Sequence, residues 1–127
     1  MEIQGFLGKL RYRPGLKATI LNSPRQYEEA FKAAGFATSL QIGSELTLLF
    51  VRNIDELKEH FMETINIVGE TAVFWVVYPK GTSGVKSHLN RDVIWSKIKP
   101  FGWRPVSLVA LDEVWSAMRV KPERLVH

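Results

Sequence analysis

Residues 73 to 80, Val-Phe-Trp-Val-Val-Tyr-Pro-Lys, decide how this chain is expected to fold. The run from Val73 to Tyr78 is apolar without the alternation of a half-buried strand, which is the pattern of a strand buried on both faces, as in a parallel sheet covered by helices. Pro79 and Lys80 end the run, and Gly81-Thr82-Ser83-Gly84 follows as a hydroxyl-rich loop beside a cation. Ligand crevices of open α/β sheets lie at the carboxyl ends of such strands, so this loop marks where a site is expected.

Working outward, Arg13-Pro14-Gly15 is a turn signal leading into a short strand, Lys17 to Leu21, and Leu46 to Val51 is a second continuous apolar strand. Between them Ser23 is read as an N-cap, with Pro24 in the first helical position and Gln26 completing a capping box; Tyr27, Ala30, Phe31 and Ala34 recur at helical spacing before Gly35 ends the helix. A weak short strand is expected within Phe36 to Ile42. Asn53 caps a helix whose Ile54, Leu57, Phe61 and Ile65 share a face and which Gly69 closes. After the 73–80 strand, Asn90 caps a helix from Arg91 lined by Ile94, Ile98 and Phe101, and two strands follow, Pro105 to Leu111 and Trp115 to Val120. The link Asp112-Glu113-Val114 is too short for a crossover helix, so these two should pair antiparallel.

The expected fold is therefore α/β: a three-layer, Rossmann-like, mostly parallel sheet of about five strands with helices on both faces and a C-terminal antiparallel hairpin. The 127 residues are read as one domain, with 1–14 a lead-in and 122–127 a frayed tail. There is no cysteine, which removes disulfides, thiolate metal sites and cysteine nucleophiles. No signal sequence is visible, and no apolar run approaches the roughly 18 residues of a membrane span, so the reading is a cytoplasmic chain with no membrane association. The net charge of +4 gathers toward the ends, at Lys9, Arg11, Arg13 and Lys17 and again at Arg119, Lys121 and Arg124. It is read as solubilising, and nucleic-acid binding is not expected, because no binding motif accompanies it.

Three segments carry a resemblance: Ile20-Leu21-Asn22-Ser23-Pro24 after the first strand, Trp75 to Lys80 running on to Ser83-Gly84-Val85, and Leu111-Asp112-Glu113-Val114-Trp115-Ser116. In order and spacing the chain resembles, from about Leu7 to Lys121, a bacterial family of small proteins classed as a domain of unknown function. The order of elements also looks like the core of Rossmann-like methyltransferases. The resemblance implies the fold and a bacterial origin and transfers no catalytic residue. A nucleotide cofactor needs a glycine-rich turn after the first strand so that the backbone can approach it. Here that turn reads Asn22-Ser23-Pro24-Arg25, so S-adenosylmethionine or NAD is disfavoured and no cofactor is expected.

The loops at 22–25, 52–55, 79–90 and 112–116 should meet at one edge of the sheet. Lys80, Thr82, Ser83, His88, Asn22, Asp112, Glu113 and Trp115 are the candidate ligand-binding residues, with Lys80 as the point charge, the hydroxyls as donors and Trp115 as a stacking wall or a core residue. Asp112 and Glu113 are adjacent and point to opposite sides of an extended link, so they cannot form a paired acid and base. The histidines His60, His88 and His127 are scattered, so no metal site is expected. The favoured function is a non-enzymatic binding or interaction module that holds a small anionic ligand or a protein partner. The alternative is a small enzyme acting on a phosphorylated or carboxylated metabolite at the same edge.

Overall fold

A computed structural model of the chain describes residues 3–81 and 87–126. Its elements, in order, are α1 (Gln4–Leu7), β1 (Ala18–Leu21), α2 (Arg25–Ala33), β2 (Leu46–Phe50), α3 (Ile54–Ile65), β3 (Val73–Pro79), α4 (Arg91–Ile98), β4 (Trp103–Ala110) and β5 (Trp115–Pro122). The strands form one mixed sheet in the order β1-β2-β3-β5-β4. β1, β2 and β3 run parallel, with Ile20 beside Leu48 and Leu48 beside Trp75, while β5 runs antiparallel to both β3 and β4.

The unbroken apolar runs have the cause the sequence suggests: β2 is buried along its whole length, and β3 from Phe74 onward. One core gathers Ile20, Tyr27, Phe31, Leu48, Phe50, Trp75, Val77 and Trp115 between α2 and one face of the sheet. A second gathers Leu57, Phe61, Phe74, Val76, Ile94, Ile98 and Trp103 between α3, α4 and the other face. Each fully buried Phe or Leu in these cores contributes about 1.5–3 kcal/mol of transfer free energy. Phe61 stacks on Phe74 at 5.8 Å, and Trp103 stands edge-on to both.

Local chemistry sets the helix ends. Asn53 Oδ1 accepts from Glu56 N and Asn90 Oδ1 from Val93 N, both at 2.8 Å, so the expected caps of α3 and α4 form. α2 ends in a Schellman motif: Phe36 N donates to Phe31 O, Gly35 N donates to Lys32 O, and Gly35 sits at φ 99°. The apolar contact of that motif is Phe36 against Phe31, with ring centroids 4.9 Å apart.

Three expectations, for Ser23, the 36–42 strand and the start of β4, are corrected. Ser23 does not cap α2: Pro24 itself has extended backbone, with ψ 148°, so the helix begins one position later, with Pro24 as its cap residue and Pro24 O accepting from Tyr27 N and Glu28 N. The weak strand in 36–42 shrinks to one parallel bridge, Thr19 to Ala37, because Gln41 turns its side chain back onto Ala18 O and Thr19 Oγ1. The lead-in contains α1 and is anchored by Trp75 Nε1 donating to Leu10 O at 3.0 Å. β4 begins at Trp103, with an irregularity between Pro105 and Ser107. At the carboxyl end of the described residues, Glu123 N donates to Gly102 O and Arg124 pairs with Glu70. No helix among the described residues is long and apolar enough to cross a membrane.

Candidate functional site

β1 lies between the Ala37 bridge on one side and β2 on the other, so the chain changes direction at the carboxyl end of β1. Crevices of α/β sheets form at such a switch point. The turn there is shaped by Asn22, which adopts φ 58°, the left-handed region that glycine fills freely and asparagine tolerates better than most residues. Its Nδ2 donates to Phe50 O at 2.9 Å and to Glu56 Oε1 at 3.2 Å. That same oxygen accepts from Arg52 N at 2.8 Å and faces Arg52 Nη1 at 3.4 Å. The turns after β1 and β2 are thus held together by one carboxylate, and Oε2 of Glu56 has no partner among the described residues.

The second half of the carboxyl edge lies where β3 meets the β4–β5 turn. Lys80 N donates to Val114 O at 2.7 Å, fixing the end of β3 to the turn. Asp112 Oδ1 accepts from Val114 N and Trp115 N, both at 2.8 Å, and Leu111 N donates to Trp115 O. A groove of about 620 Å³ opens over this corner, lined by Lys9, Lys80, Ala110, Leu111, Asp112, Glu113 and Val114. Two cations and two carboxylates line it. Asp112 is committed to the turn, whereas Glu113 is exposed and has no hydrogen-bond partner among the described residues.

The candidate residues therefore separate. Lys80, Asp112 and Glu113 share the groove, while Asn22 serves the switch-point turn. Trp115 is buried in the core, its ring edge-on to Phe50 at 5.2 Å. His88 is exposed at φ 58° and is not among the groove's lining residues. Thr82 and Ser83 lie outside the described residues. Near the end of β3, burial pushes the Tyr78 hydroxyl above its usual value, with Arg91 opposing the shift. Glu56 and Lys9 were missed in the sequence. Glu56 stands three residues after Asn53 and reads there as an ordinary capping partner, and Lys9 reaches the groove only because α1 folds onto the sheet. No group of three His, Cys, Asp or Glu among the described residues could hold a metal ion.

A further cavity of about 620 Å³ opens at the amino edge, lined by Arg11, Arg13, Ile42, Ser44, Ile67 and Thr71 among others. The strands begin at that edge, so it lacks the converging turns and helix N-termini of the carboxyl edge.

No family model matches the chain, and no curated protein matches it significantly. Solved structures do. The chain is similar to the DhpI–SAH complex, with a TM-score of 0.50 and 11% identity over 84% of this chain and 66% of that one. It is also similar to a mutant of MtNAS in complex with S-adenosylmethionine, with a TM-score of 0.52 and 13% identity over 94% of this chain and 60% of that one. A third structure, described as a pericyclic reaction enzyme, gives a TM-score of 0.52 and 13% identity over 93% of this chain and 39% of that one. The chain thus spans between about two fifths and two thirds of the length of these solved chains. At such identities the likeness establishes the fold alone, a mixed α/β sheet covered by helices. The expected membership of a family of unknown function has no family model behind it. Two further expectations are corrected by the neighbours: the non-enzymatic module, and the small anionic ligand or protein partner. The similar solved structures include complexes with SAH and with S-adenosylmethionine and a structure described as a pericyclic reaction enzyme.

Proposed function

We propose that the chain is a small-molecule enzyme whose site occupies the carboxyl edge of the sheet and takes S-adenosylmethionine or a zwitterion like it. The observation that carries this reading is the charge balance of the groove, Lys9 and Lys80 against Asp112 and Glu113, on a fold whose solved neighbours hold SAH and S-adenosylmethionine. A lining of both signs suits a molecule that bears both signs and gives a purely anionic ligand no advantage. The volume of about 620 Å³ falls within the roughly 300–1,000 Å³ of small-molecule sites.

The switch-point turn has features that suit such a ligand. It lacks glycines, but Asn22 supplies the left-handed backbone that a glycine-rich turn would provide, and Glu56 Oε2 offers an acceptor to ribose hydroxyls. When bound, such a molecule supplies an electrophilic carbon beside a sulfonium. In this reading Glu56 orients the sugar, Lys80 meets the carboxylate, and Glu113 accepts from the ammonium or from a second substrate. Thermal-shift and calorimetric titrations with S-adenosylmethionine and SAH test it: binding to the folded state raises the unfolding midpoint by mass action. The rise should shrink in Lys80→Ala and Glu56→Gln. No shift with either compound overturns the reading.

A further inference from the structure

We propose that the amino edge of the sheet is a docking surface for the phosphate backbone of a nucleic-acid duplex, apart from the small-molecule site at the carboxyl edge. Cations from both ends of the chain meet there. Arg11 and Arg13 follow α1 and line the amino-edge cavity, and Lys17 leads into β1. β5 runs against β3, so its last residues return to the same edge: Arg119 lies beside Trp75, and Lys121, two residues on, shares its face of the sheet. On that face Trp75 Nε1 donates to Leu10 O, which brings Arg11 over the end of β5. Arg11 is close enough for its charge to act on Arg119: burial first and Arg11 second hold the Arg119 guanidinium below the usual arginine value.

No ion pair among the described residues involves Arg11, Arg13, Lys17, Arg119 or Lys121. The nearby acids are engaged otherwise: Glu70 pairs with Arg124, Glu123 faces Arg104, and Glu45 accepts from the backbone N of Lys17. Together with Glu45, the five cations carry the whole net charge of +4, since the other twelve cations of the chain are matched by twelve acids. Arg11 and Arg13 are exposed, and Arg11 takes φ 69°, a left-handed backbone that glycine would fill without strain. The charges extend from the segment after α1 across the head of β1 to the end of β5. That is more than one small anion would meet, and it suits a row of phosphates. No aromatic side chain among the described residues lines the cavity, so it offers no platform for stacking unpaired bases. A duplex, held by its backbone alone, is the form of nucleic acid that fits.

Fluorescence anisotropy with a labelled mixed-sequence duplex, as DNA and as RNA, tests the proposal, with circular dichroism to confirm that each variant folds. With about four phosphates neutralised, affinity should fall about a hundredfold between about 50 and 200 mM salt. Arg13→Ala and Lys121→Ala should each weaken binding and make the salt slope shallower by about one. Arg13→Glu should weaken it by about tenfold or more, while Lys58→Glu, the same change of charge at an exposed position on α3, should leave it within about twofold. No binding of either duplex at the low end of the salt range overturns the proposal. So does equal weakening by Arg13→Glu and Lys58→Glu, which would show net charge acting without a defined place. Tighter binding to phosphatidylserine vesicles than to either duplex also overturns it, since the surface would then face a membrane.

Discussion

Replacing Asp112 separates a turn built by a side chain from a carboxylate waiting for a ligand. Oδ1 accepts from Val114 N and Trp115 N, both at 2.8 Å, on a half-buried residue. Asp112→Ala leaves both donors without that oxygen. A hydrogen bond to a charged acceptor contributes about 1.5–3 kcal/mol when buried, and partial exposure lets water replace some of it, so about 2–3 kcal/mol is expected for the pair. Asp112→Asn keeps an oxygen in the same place and should cost less than about 1 kcal/mol. In urea, with a slope of about 1–3 kcal/mol/M, the alanine midpoint should fall by about 1–2 M and the asparagine midpoint by much less. Because Lys80 N donates to Val114 O, the alanine variant should also loosen the end of β3 and weaken ligand binding in the groove, while asparagine retains it. A loss in Asp112→Asn equal to that in Asp112→Ala would show that the negative charge matters and not the acceptor, and would refute this account of the turn.

At the switch point, Asn22→Gly removes the bonds to Phe50 O and Glu56 but keeps the left-handed backbone, whereas Asn22→Ala also incurs about 1–2 kcal/mol of backbone strain. Chemical denaturation should rank the wild type above glycine and glycine above alanine; an alanine variant as stable as the glycine one would sink the argument. Tyr78, whose folded pKa is raised chiefly by burial, should ionise later than a free tyrosine when followed by ultraviolet absorbance. The folded state then holds more protons than the unfolded one once the pH passes the unfolded pKa of about 10, so stability should fall with rising pH from there and be untouched by this group below it. Tyr78→Phe should flatten that slope.

What was legible in the sequence was what local chemistry decides. Asn53 and Asn90 cap their helices because the donor lies three residues on, and Leu46 to Phe50 is a strand because nothing polar interrupts it apart from Thr47, which hides its hydroxyl against Ser44. Ser23 misled because Pro24, whose ring fixes φ but leaves ψ open, takes the extended ψ of 148° and itself becomes the cap residue. The site was harder to read because its members are brought together by tertiary contacts. Lys9 enters the groove through a lead-in pinned by Trp75 Nε1 to Leu10 O, a bond between residues 65 positions apart. Asn22 was weighed for its side chain, when its backbone angle is what bears on the glycine question. A left-handed asparagine cannot be told from an extended one by composition, so the sequence shows the missing glycine and not the left-handed backbone of the turn.

Phe50 connects the two halves of the carboxyl edge. Its carbonyl receives Asn22 and so belongs to the Glu56 clamp, and its ring meets Trp115, whose own N–H belongs to the Asp112 clamp. Phe50 is fully buried, so neither contact can shift without disturbing the core. The Glu56 carboxylate joins the turns after β1 and β2, distant in sequence, through Asn22 Nδ2 and Arg52 N, while the Asp112 carboxylate closes the local β4–β5 turn through Val114 N and Trp115 N. Walls fixed this way lose little conformational freedom when a ligand arrives, so binding there would not be weakened by the cost of ordering loops. That is how a chain without a glycine-rich turn can still present a defined edge. The stiffness supplied elsewhere by a backbone cradle comes here from Glu56 and Asp112, and a ligand would be read by the groups those clamps leave over: Oε2 of Glu56, the Glu113 carboxylate, and the Lys9 ammonium.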